Sequence, residues 1–547
     1  MRSIEEIRTL KEDLYGYFRV CRNNYKKCTD AFNQQIHIGK MTKGIEVYKD
    51  PKARQHINSM TNHIMILGQD VILPLWNESE KTKELASKLK RFGKATLQLL
   101  DQRYKSVRRN AITNSLLYGV GIVKQLYLPR LRGDRDDDEW SLYLKSTFPF
   151  HYRACHPATM AWIDDDCAIE IYERKVFDVK KTWGDWKTNK NNFDDVEWWE
   201  YWTRDHRVFF ADNEVVIDEV NPYGFIPYEV FHGGFGVESA TGKPEDLIVS
   251  VIAPLLSSYK MSYRAKTSIL KLLEYAAMTR PVMNRLPYDW EKLETDAAEM
   301  SYIAEDANLR HFGPDVISPD MYRIINMLDN DQESVVPGIM AGAGSKYETG
   351  YGQASRMDYA RISLLASCIA NWEYAAGNIL NKTLQLIENH LQDDDIEEPV
   401  GILGNFGNEY GMVTIKPSEI NTKLQHFFVK LDAITPEQKE HRWRLGMDSW
   451  VVKSLSLETL HTDFYGIDHI TEKERMLVER AMNHPAVIEV LTREALTDVG
   501  MRDLVGMIQE GKFNEPRAPL QGIGGRSNEN MREMGAVGTQ QKAEEFR

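Results

Sequence analysis

The sequence predicts an α+β fold in which long helices alternate with a block of short strands. Residues 244–280 and 353–392 place apolar side chains at the spacing of a helix. Residues 121–236 instead consist of short β-rich runs separated by turn residues. The segment 338–352 is rich in glycine and cannot form regular structure without tertiary contacts. These sequence patterns indicate several linked structural modules. No repeat period recurs that would indicate a repeat protein.

Composition limits the classes of protein to which the chain can belong. Its 547 residues predict three or four structural units, and 42% hydrophobic residues are enough to bury real cores. The net charge of −13 argues against wrapping nucleic acid on a basic surface. The five cysteines include no CxxC pair, which predicts reduced, buried thiols. No apolar run could span a membrane and no signal peptide is evident, so we expect a protein used where it is synthesised.

The first 120 residues are predicted to be mostly helical. Ser3 and Glu6 fit a capping box at the start of the first helix. Later segments are predicted as a loop over 37–52 and as helices over Thr61–Leu73 and Lys81–Tyr118. A basic cluster near the end of this region could contact phosphate, but we favour a solvated helix face; it comprises Arg103, Lys105, Arg108 and Arg109.

The block that follows is predicted to be an antiparallel, half-buried β-sheet. Its candidate strands are Ile122–Leu128, Trp140–Phe148, Met160–Trp162, Ala168–Asp178, Glu197–Thr203, Arg207–Ala211 and Glu214–Glu219. Asp212 and Asn213 form a predicted hairpin turn. Alternation places Trp198 and Trp202 on one face of their strand and Trp199 on the other. These rings could form a platform for a sugar or a base, but we favour a packed sheet.

No constellation in the sequence predicts an active site. The glycine-rich segment lacks the Gly-Lys-Ser/Thr ending of a phosphate-binding loop, and it also fails the GxGxxG pattern. Asp164, Asp165, Asp166 and His156 could be drawn as a metal site, although a turn is the simpler interpretation. We therefore predict no catalytic residue, metal or cofactor. A carboxylate-based hydrolase using Asp164 or Asp166 remains a remote alternative.

The two helical stretches around residue 300 carry opposite charges. Residues 247–280 have a net charge of +4, and residues 291–333 have a net charge of −8. A basic helix followed closely by an acidic partner predicts that the two attract, and we expect the attraction to act between copies of the chain.

The order of elements resembles that of the portal proteins of tailed bacteriophages. A β meander ends in NPYGFIPYEVFHGGFG and is followed by a long helix, a small acidic insert, a shorter helix and the glycine-rich segment. Two further passages resemble corresponding segments of that family: TGYGQASRMDYAR and ITPEQKEHRWRLGMDSWVVKSLSLETL. The similarity covers roughly residues 121–510. It implies a portal-like subunit divided into an N-terminal helical outer wing (1–120), a β-rich wing (121–243), a first stem helix (244–280), a clip (281–316), a second stem helix (317–336), a tunnel loop (337–352), a tunnel helix (353–392), a wing return (393–433), a helical crown (434–510) and a flexible tail (511–547).

The resemblance implies a ring of about twelve copies at one vertex of a capsid. Double-stranded DNA would slide non-specifically through the ring during packaging and ejection, and an acidic channel suits sliding better than gripping. The implied partners are terminase, the major capsid and scaffolding proteins and a head–tail adaptor, in host cytoplasm during assembly and then in the virion. Another ring-forming virion protein, such as an adaptor or a minor capsid protein, is the alternative.

Two groups of residues are then the candidate functional sites. The tunnel-loop residues expected to face DNA are Ser345, Lys346, Tyr347 and Thr349. The stem residues expected to pair between subunits, or else to face the channel, are Lys260, Arg264, Lys266, Lys271, Asp320, Asp329 and Asp331.

Overall fold

A computed structural model describes most of the chain and confirms the α+β class. The described residues are 2–38, 47–75, 77, 79–102, 105–127, 150–182, 186–240, 242–277, 280–283, 309–312, 319–335, 350–391, 400–406, 409–432, 436–454, 456–461 and 469–482. The chain divides into two units, Met1–Thr435 and Pro436–Arg547.

The N-terminal region is helical, as predicted. Its helices are α1 (Ile4–Tyr17), α2 (Arg19–Phe32), α3 (Lys52–Ile66), α4 (Glu80–Gln102) and α5 (Val107–Tyr118). The predicted capping box is confirmed, because Ser3 Oγ accepts from Glu6 N and the Glu6 carboxylate accepts from Ser3 N. The predicted single helix over 81–118 is wrong: α4 ends at Gln102, and Ser106 caps the start of α5.

One helix prediction in this region fails for a long-range reason. The expected helix Thr61–Leu73 ends at Ile66, and strand β1 (Gly68–Ile72) follows it. Strand β1 pairs antiparallel with β14 (Phe428–Asp432), which lies far along the chain. Pairing with a distant strand outweighs the local helical spacing of the same residues.

Two sheets form the β-rich part of the first unit. A three-stranded antiparallel sheet has the order β3-β2-β9, from β2 (Val120–Tyr127), β3 (Phe150–Cys155) and β9 (Tyr228–His232). A five-stranded meander runs in order from β4 (Met160–Ile163) through β5 (Cys167–Lys175), β6 (Asp195–Trp202) and β7 (His206–Ala211) to β8 (Glu214–Val220). The prediction of a packed sheet is confirmed, since Trp198, Trp199 and Trp202 are all buried.

Details of these strands depart from the prediction. The prediction that the strands are half-buried is wrong for β2 and β6, because residues 120–125 and 198–202 are buried on both faces of their strands. The predicted strand Ala168–Asp178 ends at Lys175, where helix α6 (Val176–Thr182) begins and buries Val176 and Val179. Asp212 and Asn213 both have positive φ and form the predicted hairpin turn. The candidate strand Trp140–Phe148 lies outside the described residues.

The first long helix begins later than predicted. A single turn, α7 (Pro244–Leu247), is followed by a 3-10 turn at Ala253–Leu255, and α8 runs over Leu256–Ala277. Pro254 lacks an N–H and cannot continue a helix from Pro244. The intervening residues bond elsewhere, since Val251 N and Ser250 Oγ both donate to Leu116 O.

The remaining elements follow the predicted order. A two-stranded antiparallel sheet, β10 (Arg280–Met283) with β11 (Leu309–Phe312), separates α8 from α9 (Pro319–Val335). Helix α10 spans Gly350–Leu391 and leads to the hairpin of β12 (Val400–Phe406) and β13 (Glu409–Ile415). The second unit contains α11 (Pro436–Val451), α12 (Leu457–Thr459) and α13 (His469–Met482). The part of the predicted helical crown after Met482 lies outside the described residues.

Candidate functional site

Helices α8 and α9 form an antiparallel pair. Ser258, near the start of α8, donates to Leu328 O and accepts from Gln332 Nε2, near the end of α9. The side of α9 that is turned inward carries Ile325, Leu328, Asp329 and Gln332, which is the spacing of one helix face. The two predicted stem helices are therefore packed together within one chain.

The N-terminal region is bonded along one side of α8. Tyr48 N donates to Thr267 Oγ1 at 3.1 Å, and Tyr263 Oη donates to Asp50 O at 2.9 Å. Asp50 Oδ2 accepts from Ser262 Oγ at 3.3 Å and from Lys266 Nζ in a short contact. We call these contacts between residues 48–52 and α8 the polar seam.

Two acidic and two basic side chains alternate where the polar seam meets α9. Lys266 pairs with Asp50 and lies 3.9 Å from Asp329 Oδ1, and Lys52 Nζ lies 2.5 Å from the same oxygen. Asp50 is only 5% exposed, so water screens the cluster weakly. The attraction that the sequence led us to expect between subunits thus acts inside the chain for Lys266 and Asp329.

The other predicted stem residues lie on surfaces of the helix pair. Lys260 and Arg264 are exposed on α8, one turn apart, and Arg264 Nε donates to Ile38 O at 2.9 Å. Lys271 is half-buried. Asp331 is exposed, and Asp320 pairs with Arg323 in its own helix at 3.2 Å. Large apolar side chains are exposed beside them: Met261 on α8, and Tyr322, Ile324 and Met327 on α9.

Helix α10 is fixed between two sheets. Asn378 Nδ2 and Lys382 Nζ both donate to the Glu229 carboxylate of β9, at 2.8 Å each. On the other side, Asn381 exchanges hydrogen bonds with the backbone of Phe427, and Glu373 accepts from Leu431 N. The predicted tunnel-loop residues Ser345, Lys346, Tyr347 and Thr349 precede this helix and lie outside the described residues.

A buried ion cluster, which no sequence pattern predicted, joins the three-stranded sheet to the five-stranded meander. Lys124 of β2 lies 2.9 Å from Glu170 of β5 and 2.6 Å from Glu200 of β6, and Arg153 of β3 pairs with Glu170 at 2.6 Å. Burial raises the pKa of Glu200, but Lys124 and hydrogen bonds from Trp202 and Tyr172 outweigh it, so the pKa lies below its usual range.

Comparisons with known proteins identify no family. No family model matches the chain, and no curated protein matches it. A chain of the structure described as "Neck of native GTA particle computed with C12 symmetry" is 10% identical with a TM-score of 0.37, covering 76% of this chain and 90% of that one. A chain of "Neck of empty GTA particle computed with C6 symmetry" is 11% identical with a TM-score of 0.39, with the same coverage. A chain of "Virion of native gene transfer agent (GTA) particle" is 10% identical with a TM-score of 0.37, covering 81% and 99%. Alignments this loose carry no weight in assigning a function.

The basic cluster at the start of α5 is not a uniform helix face. Arg108 is 2% exposed, pairs with Asp101 at 3.1 Å and donates to Ile64 O and Leu67 O. Both interpretations made from the sequence, phosphate contact and a solvated face, are wrong for Arg108, because it ties α5 to the end of α3. Lys105 and Arg109 are exposed, and Arg103 lies outside the described residues.

The acidic triplet forms a turn, as the simpler interpretation held. Asp165 has a φ of 59° between β4 and β5, and Asp166 pairs with Arg2 at 2.7 Å. His156 caps a 3-10 turn by accepting from Ala158 N. Within the described residues, no three His, Cys, Asp or Glu side chains are grouped so that they could hold a metal ion. No helix in the same set is long and apolar enough to cross a membrane.

Proposed function

We propose that this chain is a subunit of a phage-like portal, a ring at one capsid vertex through which double-stranded DNA is packaged and ejected. The observation that carries the proposal is the order and pairing of elements after the meander. Helices α8 and α9 pack against each other, the β10–β11 pair stands between them in the chain, and the long helix α10 and a β hairpin follow. This is the order that the portal resemblance implies for stem, clip, tunnel helix and wing return.

The helix pair has surfaces suited to a neighbouring copy. On α8, Lys260, Met261 and Arg264 are exposed beside one another, and on α9 Met327 and Asp331 are exposed. A basic, partly apolar strip on one copy is complementary to an acidic, partly apolar strip on the next. Such a contact joins unlike surfaces and is therefore heterologous, and heterologous contacts generate closed rings when their rotation closes.

The channel role is proposed from sequence and charge. Lys346 and Tyr347, with Ser345 and Thr349 beside them, would touch DNA as it passes, in a ring whose net charge is strongly negative. Such a surface repels phosphate at long range and leaves few tight contacts, so that DNA can slide. Terminase, capsid and scaffolding proteins and a tail adaptor would dock on the outside. An adaptor or minor capsid protein built on the same ring is the alternative.

Charge reversal on α8 tests the ring contact. The double variant Lys260→Glu with Arg264→Glu should sediment mainly as smaller species where the parent sediments as a ring, because like charges then face each other. Lys187→Glu with Lys180→Glu, on and after α6, is the matched control and should leave the ring intact. An unchanged ring in the α8 variant would contradict the proposed contact. Rings that form normally but package less DNA would instead place these residues in the channel.

A further inference from the structure

The apolar core stops part of the way along α8. Leu255, Leu256 and Tyr259 pack into the continuous core of the first unit. Beyond them Tyr263, Ile269 of α8 and Leu328 of α9 are buried, but they do not belong to that core. Core packing therefore holds the start of α8, and beyond Tyr259 the helix pair has only a few buried apolar side chains of its own.

Directional polar contacts take over at that point. His56 Nδ1 and Tyr259 Oη are 2.6 Å apart where the core ends, and the polar seam continues along α8 to Thr267. Lys52 reaches across to Asp329, so α9 is held as well as α8. Hydrogen bonds and ion pairs fix orientation and register more tightly than apolar contacts do, but they can be broken by neutralising a single charge.

Asp50 is the centre of this arrangement. Its Oδ1 accepts from Lys52 N at the start of α3, its Oδ2 accepts from Lys266 and Ser262, and its backbone oxygen accepts from Tyr263. Without its charge, two lysines would share the single carboxylate of Asp329. One residue thus joins α3, α8 and, through Lys266, α9.

We propose that Asp50 and Lys266 form an electrostatic latch, and that α9 and the part of α8 beyond Tyr259 detach from residues 48–52 and open locally, as one unit, when the latch is broken. The two helices open together because Lys266 and Lys52 join Asp50 and Asp329 in one ion cluster.

The latch has a consequence for residues 336–349, which join α9 to α10. Helix α10 is fixed in the core through Glu229 and Phe427, whereas α9 is held through the latch. Opening the latch would therefore shift one end of this segment and leave the other in place. Its relevance to DNA passage rests on the proposed function, but the latch itself needs no ring.

Hydrogen exchange measured by mass spectrometry on the purified full chain tests the latch. Asp50→Asn keeps the shape and removes the charge, and Lys187→Met, which neutralises an exposed lysine outside the helix pair, is the control. Exchange within residues 256–277 and 319–335 should become roughly 100-fold faster in Asp50→Asn, with residues 120–127 unchanged, because a broken buried pair favours local opening. The control should match the parent.

Two results would overturn the latch. One is unchanged exchange in both helices; the other is equal acceleration in residues 120–127, which would mean general destabilisation. If Asp50→Asn does not fold, Lys52→Met carries the test, since Lys52 is 24% exposed and its loss is milder. It should accelerate exchange in residues 319–335 more than in 120–127. Sedimentation of the same samples shows separately whether rings form, so a change in assembly is distinguished from a change at the latch.

Discussion

Lys124 lies between Glu170 and Glu200 and bridges two sheets from a fully buried position. Its Nζ atom is 2.9 Å from Glu170 Oε2 and 2.6 Å from Glu200 Oε2. Tyr228 also donates to Glu170, and Trp198 and Trp202 donate to Glu200, so the carboxylates are well satisfied. The cluster fixes how the three-stranded sheet sits on the meander, which makes its removal informative.

Replacing Lys124 with methionine should lower the free energy of unfolding by about 3–5 kcal/mol, because two carboxylates remain buried without their cation. Urea denaturation at one fixed protein concentration measures the change. Lys175→Met is the control: that lysine pairs with Asp195 where both side chains are about half exposed, and its loss should cost less than about 1 kcal/mol. Equal losses in the two variants would contradict the role given to the cluster.

His56 should make stability depend on pH below neutrality. Burial, with a contribution from Lys52, lowers its pKa to about 4 from the ordinary 6.5, and Asp50 opposes the shift. Between pH 6.5 and pH 4, His56 is therefore protonated in the unfolded chain but not in the folded chain, so the free energy of unfolding falls as the pH falls through this range. The loss amounts to about 3 kcal/mol.

The non-titrating variant His56→Gln isolates this effect from the titration of carboxylates. Denaturation curves of parent and variant should be compared between pH 7 and pH 4. The stability advantage of the parent should shrink by about 3 kcal/mol over that range. A constant difference at every pH would show that His56 does not titrate as its surroundings predict.

Two glycines should respond oppositely to alanine. A Cβ atom on Gly121 would stand 2.3 Å from the Phe231 ring and 2.6 Å from Ala111 O, so Gly121→Ala should destabilise the fold by about 1–3 kcal/mol. A Cβ atom on Gly16, in the last turn of α1, meets nothing within 4 Å. Gly16→Ala should be neutral or stabilise by up to about 1 kcal/mol. Thermal melting midpoints distinguish the two, and a stable Gly121→Ala protein would contradict the close packing of β2 under α5.

The proposed DNA-facing residues can be tested apart from assembly. Lys346→Ala combined with Tyr347→Ala removes a cation and a ring from the segment before α10. We expect rings of normal size by electron microscopy but less DNA per particle when packaging is assayed with the variant. Normal packaging by the variant would show that these residues do not contact DNA in the channel. Loss of the rings would instead make them assembly residues.

Local sequence patterns predicted most of the elements, and the failures share a cause. The Ser3–Glu6 capping box and the Asp212–Asn213 turn depend on neighbouring residues, and they were predicted correctly. Residues 68–72 and the segment before α8 were not, because β1 pairs with β14 and Val251 bonds to Leu116. Contacts between residues distant in the sequence leave no local periodicity to detect.

The charged residues show the same limit more sharply. Lys124 lies in a strand that the sequence predicts to be half-buried, and Arg108 lies in a basic segment predicted to be solvated. Both side chains are buried. The opposite charges of residues 247–280 and 291–333 were visible in the sequence. The partner that Lys266 takes, Asp50, lies in a segment whose sequence predicts only a loop, so no pattern pointed to it.

The claim on which this account depends is that many copies close around a hole. Electron cryomicroscopy of the purified chain tests it most directly. We expect closed rings, with α8, α9 and α10 of every copy arranged around a central channel wide enough for a DNA duplex. Single compact particles at every protein and salt concentration, with residues 336–349 packed inside each one, would contradict it.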